Sequence, residues 1–165
     1  MHHMGHEAYV YPAIYKVHGT NNFIPYIFTK DQIQAIFEAT DSLKQNPKYP
    51  RYHIIYPTLI RTLYGCGLRL SEALGLKTHH VDLVNGVLFI EKSKKNTSRL
   101  VPMSASLIQN VTDYVRKMNL DMKNDGFFFP APDQGKYNRG SARCEILKIY
   151  AKAGIPLLKN GRYPR

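Results

Sequence analysis

Along most of the chain the apolar residues recur at three- and four-residue steps, and in one stretch the step shortens to two. The first helical run opens at Thr29-Lys30-Asp31-Gln32. A threonine followed three residues later by glutamine makes a capping box. Ile33, Ile36, Phe37 and Thr40 then share one face to about Leu43. A second helix is predicted over Tyr52–Tyr64, with Ile54, Ile55, Leu59, Ile60 and Leu63. Apolar side chains occupy most of its circumference, which places it centrally. Pro57 either opens that helix or kinks it. Gly65-Cys66-Gly67 makes a corner, and a short helix restarts with Leu70, Ala73 and Leu74 facing a core.

From His80 the period becomes two. Val81 and Leu83, the Asn85-Gly86 pair, then Val87-Leu88-Phe89-Ile90 predict a hairpin with a tight turn. A polar stretch over Lys92–Ser98 leads into a third strand, Arg99-Leu100-Val101-Pro102. Ser104 or Ser106 caps the next helix, which carries Leu107, Ile108, Val111, Tyr114, Val115 and Met118 to about Asn119. Asp121–Asp125 is a polar loop that the apolar Phe127-Phe128-Phe129-Pro130 pins to the core, and 132–140 is loop. A last helix begins at Ser141, with Ala142, Ile146, Ile149 and Ala153, and stops at Gly154 and Pro156. Residues 1–28 show no period and read as an arm or interdomain linker, leaving 29–165 as the folded domain. The class is α+β, mostly α: helices around a small three-stranded antiparallel sheet. The lack of βαβ alternation excludes a doubly wound parallel sheet.

Composition supports one domain: 165 residues, 44% hydrophobic, enough to enclose a core. No apolar run approaches the roughly 18 residues of a membrane span, and no signal peptide opens the chain. Two cysteines, Cys66 and Cys144, lack metal-ligand or disulfide-framework spacing, which fits a reducing, cytoplasmic setting. His2, His3 and His6 crowd a terminus and make no metal site. Charge changes the picture more. The balance is +11, yet residues 1–50 hold four basic and four acidic side chains, so the whole excess follows residue 50. A basic domain of this kind expects a polyanion, and nucleic acid is the commonest. An anionic membrane fits poorly, because no helix reads as basic on one face and Trp/Leu-rich on the other.

Two stretches carry candidate chemistry. At the glycine corner Arg69 and Glu72 lie three residues apart, neighbours on a helical turn. A guanidinium beside the free N–H groups of a helix start suits a phosphate. In the second, Ser93-Lys94-Lys95-Asn96 tips the hairpin, where a lysine can reach a phosphate or deliver a proton to a leaving oxygen. A metal-dependent nuclease built on Asp82 and Glu91 is disfavoured. Its carboxylate–x–lysine pattern needs a lysine where Ser93 stands.

Gly65-Cys66-Gly67-Leu68-Arg69-Leu70-Ser71-Glu72-Ala73-Leu74-Gly75-Leu76, the Asp82-Leu83 hairpin and Lys94 eight residues before Pro102 follow one another in order. Together they resemble the catalytic domain of the tyrosine recombinases, the phage integrase family, over roughly residues 26–165. The resemblance implies DNA cleavage by a tyrosine, through a 3′-phosphotyrosyl bond and a free 5′-hydroxyl, with no metal or nucleotide cofactor. It implies that Arg69 holds the scissile phosphate, Glu72 supports neighbouring catalytic groups, and Lys94 is the general acid, with Lys95 adjacent to it. Lys77, Lys92, Lys95, Arg99 and Arg162 are the expected DNA-contacting residues. Double-stranded DNA is the implied partner, with self-association as a tetramer on DNA in intact members. The implied setting is the nucleoid-associated cytoplasm of a bacterium, phage or mobile element.

The family's His-x-x-Arg box and its nucleophilic tyrosine have no counterpart here, since no histidine follows His80. The chain is therefore expected to be the front part of a catalytic domain that binds DNA without cleaving it. The alternative is a non-catalytic DNA-binding or interaction module derived from an integrase.

Overall fold

The capping box forms as the pattern requires: Thr29 Oγ1 accepts from the Gln32 N–H at 3.2 Å, and Gln32 Oε1 accepts from the Thr29 N–H at 3.0 Å. It starts α1, Lys30–Asp41, which ends two residues before Leu43 with Ser42 as its C-cap. The computed structural model describes residues 26–47, 49–91, 97–158 and 160–164. Of the expected arm, only Tyr26, Ile27 and Phe28 are among these, and Phe28 lies edge-on to Tyr150 at 5.4 Å.

Helix α2, Tyr52–Cys66, continues through Pro57, so the proline does not open it. Packing outweighs the lost N–H bond, because Ile55, Tyr56, Leu59 and Ile60 on both sides of the proline are buried. Each such side chain stabilises the fold by about 1.5–3 kcal/mol. The helix packs against α1 and against α4, Ala105–Met118. Gly67 ends it in the left-handed conformation, φ +59°, and that turn starts the short α3, Leu70–Ala73.

A 3-10 turn, Thr78–His80, leads into β1, Val81–Asp82; β2, Val87–Ile90; and β3, Arg99–Pro102. The sheet is antiparallel in the order β1-β2-β3. The first hairpin differs from the two-residue turn expected at Asn85-Gly86. Asp82 pairs with Val87, leaving four residues in the turn. The cause is Asp82, whose Oδ1 accepts from the N–H groups of both Val84 and Asn85 at 2.9 Å. Gly86 closes that turn at φ +65°, under Ile108 of α4.

Ser104 caps α4 by accepting from the Leu107 N–H at 3.3 Å, and Ser106 leans on its hydroxyl at 3.1 Å. Phe128 and Phe129 are fully buried beside Tyr114, with ring centroids 5.2 and 5.4 Å from the tyrosine. The Tyr114 hydroxyl donates to the Phe128 carbonyl at 2.8 Å, so the apolar segment is held at both ring and backbone. Tyr56 is likewise closed off from solvent, with its ring edge-on to Tyr137 at 6.1 Å. The last helix, α5, spans Arg139–Lys152 and packs on α1. It begins two residues before Ser141 because Asn138 Oδ1 accepts from the Ser141 N–H at 3.0 Å and acts as cap. No helix among the described residues is long and apolar enough to cross a membrane.

Candidate functional site

Arg69 stands at the N-cap of α3 in extended backbone, φ −70° and ψ 147°. Its carbonyl accepts from the N–H groups of Glu72 and Ala73 at 2.9 and 3.1 Å, starting the helix. Glu72 closes the other side by accepting the Arg69 backbone N–H on Oε2 at 2.9 Å. This is half of a capping box, since arginine has no side-chain acceptor to return the bond. The glycine corner thus fixes the Arg69 backbone, and Glu72 then takes the side chain, with Nη1 donating to Oε1 at 2.9 Å.

A third group completes the cluster. Arg99, first residue of β3, donates to both oxygens of Glu72, from Nη1 to Oε1 at 3.1 Å and from Nη2 to Oε2 at 2.9 Å. The Glu72 side chain is only 7% exposed, against 60% for Arg69 and 39% for Arg99. The Arg99 bonds first, and the two Arg69 bonds after them, hold the Glu72 carboxyl down to about 2 despite its burial. Glu72 is therefore a fixed anion between two cations, and most of the Arg69 donors face solvent.

Arg69 and Glu72 line a cleft of about 1170 Å³. One part of its wall is apolar, with Phe28, Ile33, Phe37, Leu63 and Ile146; the other carries Lys136, Arg139 and Arg143. Those three cations, just before and within the first turns of α5, went unnoticed in the sequence. Their signal was Asn138 as cap with Arg139 and Arg143 four residues apart. The sheet reaches the same place. Ile90 pairs with Arg99, Ile90 and Glu91 line the cleft, and Arg99 is bonded to Glu72. Both anchors of the β2–β3 connection are thus at the site.

Lys92, Lys94 and Lys95 lie outside the described residues. Lys77 is placed apart from the Arg69 cluster. Its ammonium sits over the Phe127 ring at 3.9 Å and donates to the Asp125 carbonyl at 2.8 Å. Arg162 is exposed, on a turn closed by the Leu158 N–H donating to its carbonyl at 2.8 Å. Asp82 spends its carboxylate on the hairpin turn, which also accounts for its lowered pKa. Among the described residues no group of three or more His, Cys, Asp or Glu could hold a metal ion.

Residues 27–160 match the model of the phage integrase family. The tyrosine recombinase XerC of Brucella melitensis is 26% identical over 133 residues, covering 81% of this chain and 41% of that protein. The tyrosine recombinase XerA of Pyrococcus horikoshii is 26% identical over 93 residues, covering 56% of this chain and 29% of that protein. A crystal structure of the XerH site-specific recombinase bound to palindromic difH substrate superposes with a TM-score of 0.67 at 24% identity. It covers 85% of this chain and 39% of the XerH chain. At that identity the likeness speaks for the fold. The chain spans about two-fifths of the length of the Brucella relative. With a family match across nearly all the described residues, and with Arg69 and Glu72 set at the corner where the sequence motif put them, the chain belongs to the phage integrase family.

Proposed function

We propose that this chain supplies the phosphate-holding side of an active site for site-specific DNA recombination by strand breakage and rejoining. One observation carries the reading: Arg69 is anchored by backbone and side chain to a buried carboxylate, while its remaining donors open onto a cleft rimmed by Lys136, Arg139 and Arg143. Arg69 bonds the non-bridging oxygens of the scissile phosphate and offsets the charge that grows on them as phosphorus becomes five-coordinate. The phenolate of a tyrosine, its proton having passed to water, attacks phosphorus, and the bond from phosphorus to the 5′-oxygen breaks. Lys94 gives that oxygen its proton. The phosphotyrosyl ester keeps the bond energy, so a second 5′-hydroxyl can reverse the step on a new strand. No metal enters this scheme.

DNA is the partner in this reading. Lys92, Lys95 and Arg162, with Lys136, Arg139 and Arg143, contact its backbone, and copies of the protein assemble on it as a tetramer. Lys77, whose ammonium is already bonded, contributes mainly its charge to the surrounding field. The test is fluorescence anisotropy with a labelled mixed-sequence duplex across a salt series. The logarithm of affinity should fall linearly with that of salt, by about 0.9 per phosphate contacted. Arg69→Ala should weaken binding and reduce the slope by about one. An affinity indifferent to salt, or untouched by Arg69→Ala, refutes the proposal.

A further inference from the structure

Glu72 has two oxygens and room for about four hydrogen bonds. All four are taken: the Arg69 N–H and Arg69 Nη1, and Nη1 and Nη2 of Arg99. The two arginines do not share it equally. Arg99 has the parallel two-bond fork that suits a carboxylate best, whereas Arg69 places a single guanidinium N–H on it. Of the five N–H donors on a guanidinium, Arg69 thus spends one on Glu72.

We infer that Arg99 is a positioning residue that acts on DNA through Glu72, by occupying the two-bond face of the carboxylate so that Arg69 keeps its own donors for phosphate. This rests on the phosphate-holding role proposed for Arg69. With Arg99 present the trio carries two positive charges and one negative, and the net +1 is presented by the exposed Arg69. Without it, Arg69 is the one cation still bonded to the buried carboxylate. A buried charge with one partner draws that partner into the best geometry available. Arg69 then turns its fork inward and the pair becomes neutral. Arg99 would thereby affect DNA affinity from a place where its own guanidinium is engaged with Glu72. Its site at the start of β3, the strand that follows Lys92, Lys94 and Lys95 in the sequence, also ties the sheet to α3.

A direct contact and an indirect one differ in a double-mutant cycle, because independent contributions add and coupled ones do not. The probe is a short fluorescein-labelled duplex of mixed sequence at low salt, with the whole chain and four proteins: wild type, Arg99→Gln, Glu72→Gln and the double variant. If Arg99 works through Glu72, Arg99→Gln weakens binding about tenfold in the wild-type background and less than about twofold in the Glu72→Gln background. The same loss in both backgrounds overturns the inference and makes Arg99 a direct DNA contact. Arg99→Lys keeps the charge without the fork and should fall between wild type and Arg99→Gln. It also guards against Arg99→Gln failing to fold.

A readout independent of DNA is the ¹⁵N NMR of the Arg69 side chain. Its guanidinium N–H signals should shift and exchange more slowly with water in Arg99→Gln, and should not change if Arg99 merely supports the fold. Arg69→Gln in the same anisotropy assay separates the two levels. If it leaves binding unchanged, the phosphate-holding reading falls and this inference with it. If it weakens binding while the cycle is additive, only the inference falls.

Discussion

The Glu72 carboxylate keeps its charge at a pH where an ordinary glutamate is mostly protonated, because Arg99 and Arg69 bond the charged form. Its folded value of about 2 lies below the ordinary 4.5, so between those values the unfolded chain binds more protons than the native one. Stability from this group is therefore complete above about pH 4.5 and disappears as pH falls to about 2. Solvent screening of the two exposed guanidiniums holds it to about 1–2 kcal/mol. Urea midpoints of wild type and Glu72→Gln should differ at pH 6 to 7 and converge as acid is added through that window. A gap that does not change with pH would mean that Glu72 is not held by its arginines. Arg69 and Glu72 were legible in the sequence because they are three residues apart, and helical spacing brings such residues together. The partner on β3 was not. Arg99 meets Glu72 across 27 positions of chain, a pairing fixed by the packing of the sheet against α3. In the sequence Arg99 stands among the expected DNA-contacting residues, with nothing to show its bond to Glu72.

Gly67 shows how an element boundary aims a side chain. Its φ of +59° turns the chain from α2 into Arg69, and a Cβ added there would meet nothing within 4 Å. The backbone requirement can thus be tested without a clash. Gly67→Ala should destabilise by about 1 kcal/mol, from the left-handed conformation alone. Gly67→Asn should lose less, since asparagine tolerates that region. Equal stability of all three in urea denaturation would mean that the turn can be made another way. Elements were legible where one local signal decides them, as with the capping box of α1 and the Ser104 cap of α4. The hairpin turn was misjudged because Asp82 captured two backbone N–H groups that a two-residue turn would have left elsewhere. The start of α5 was missed by two residues, since its apolar positions are spread round the helix and the Asn138 cap alone marks where it begins.

For the whole molecule, charge and core divide the chain between them. The excess of positive charge after residue 50 was plain in the sequence. That part of it meets in one cleft required the fold, which sets Arg69 of the glycine corner in the same wall as Lys136, just before α5, and Arg139 and Arg143 within it. The core has a different optical consequence. The chain has 12 tyrosines and no tryptophan, so its near-ultraviolet absorbance belongs to phenols. Burial pushes Tyr56 and Tyr114 upward first of all, and Tyr52 is raised to about 12 by burial and the nearby Glu145. A phenol whose folded value lies above its unfolded 10 lends stability that is complete below pH 10 and is lost as alkali rises past it. In an alkaline titration the phenolate band should therefore rise in two parts. The second should appear together with the loss of helical circular dichroism, because Tyr56 and Tyr114 ionise only as the interior opens. Tyr114→Phe should shrink that second part. A single smooth rise well ahead of unfolding would place those rings in contact with water. The closed ring that holds the Phe128-Phe129 segment, Tyr114, thus lets the protein register, by its own ultraviolet absorbance, the moment its core is breached.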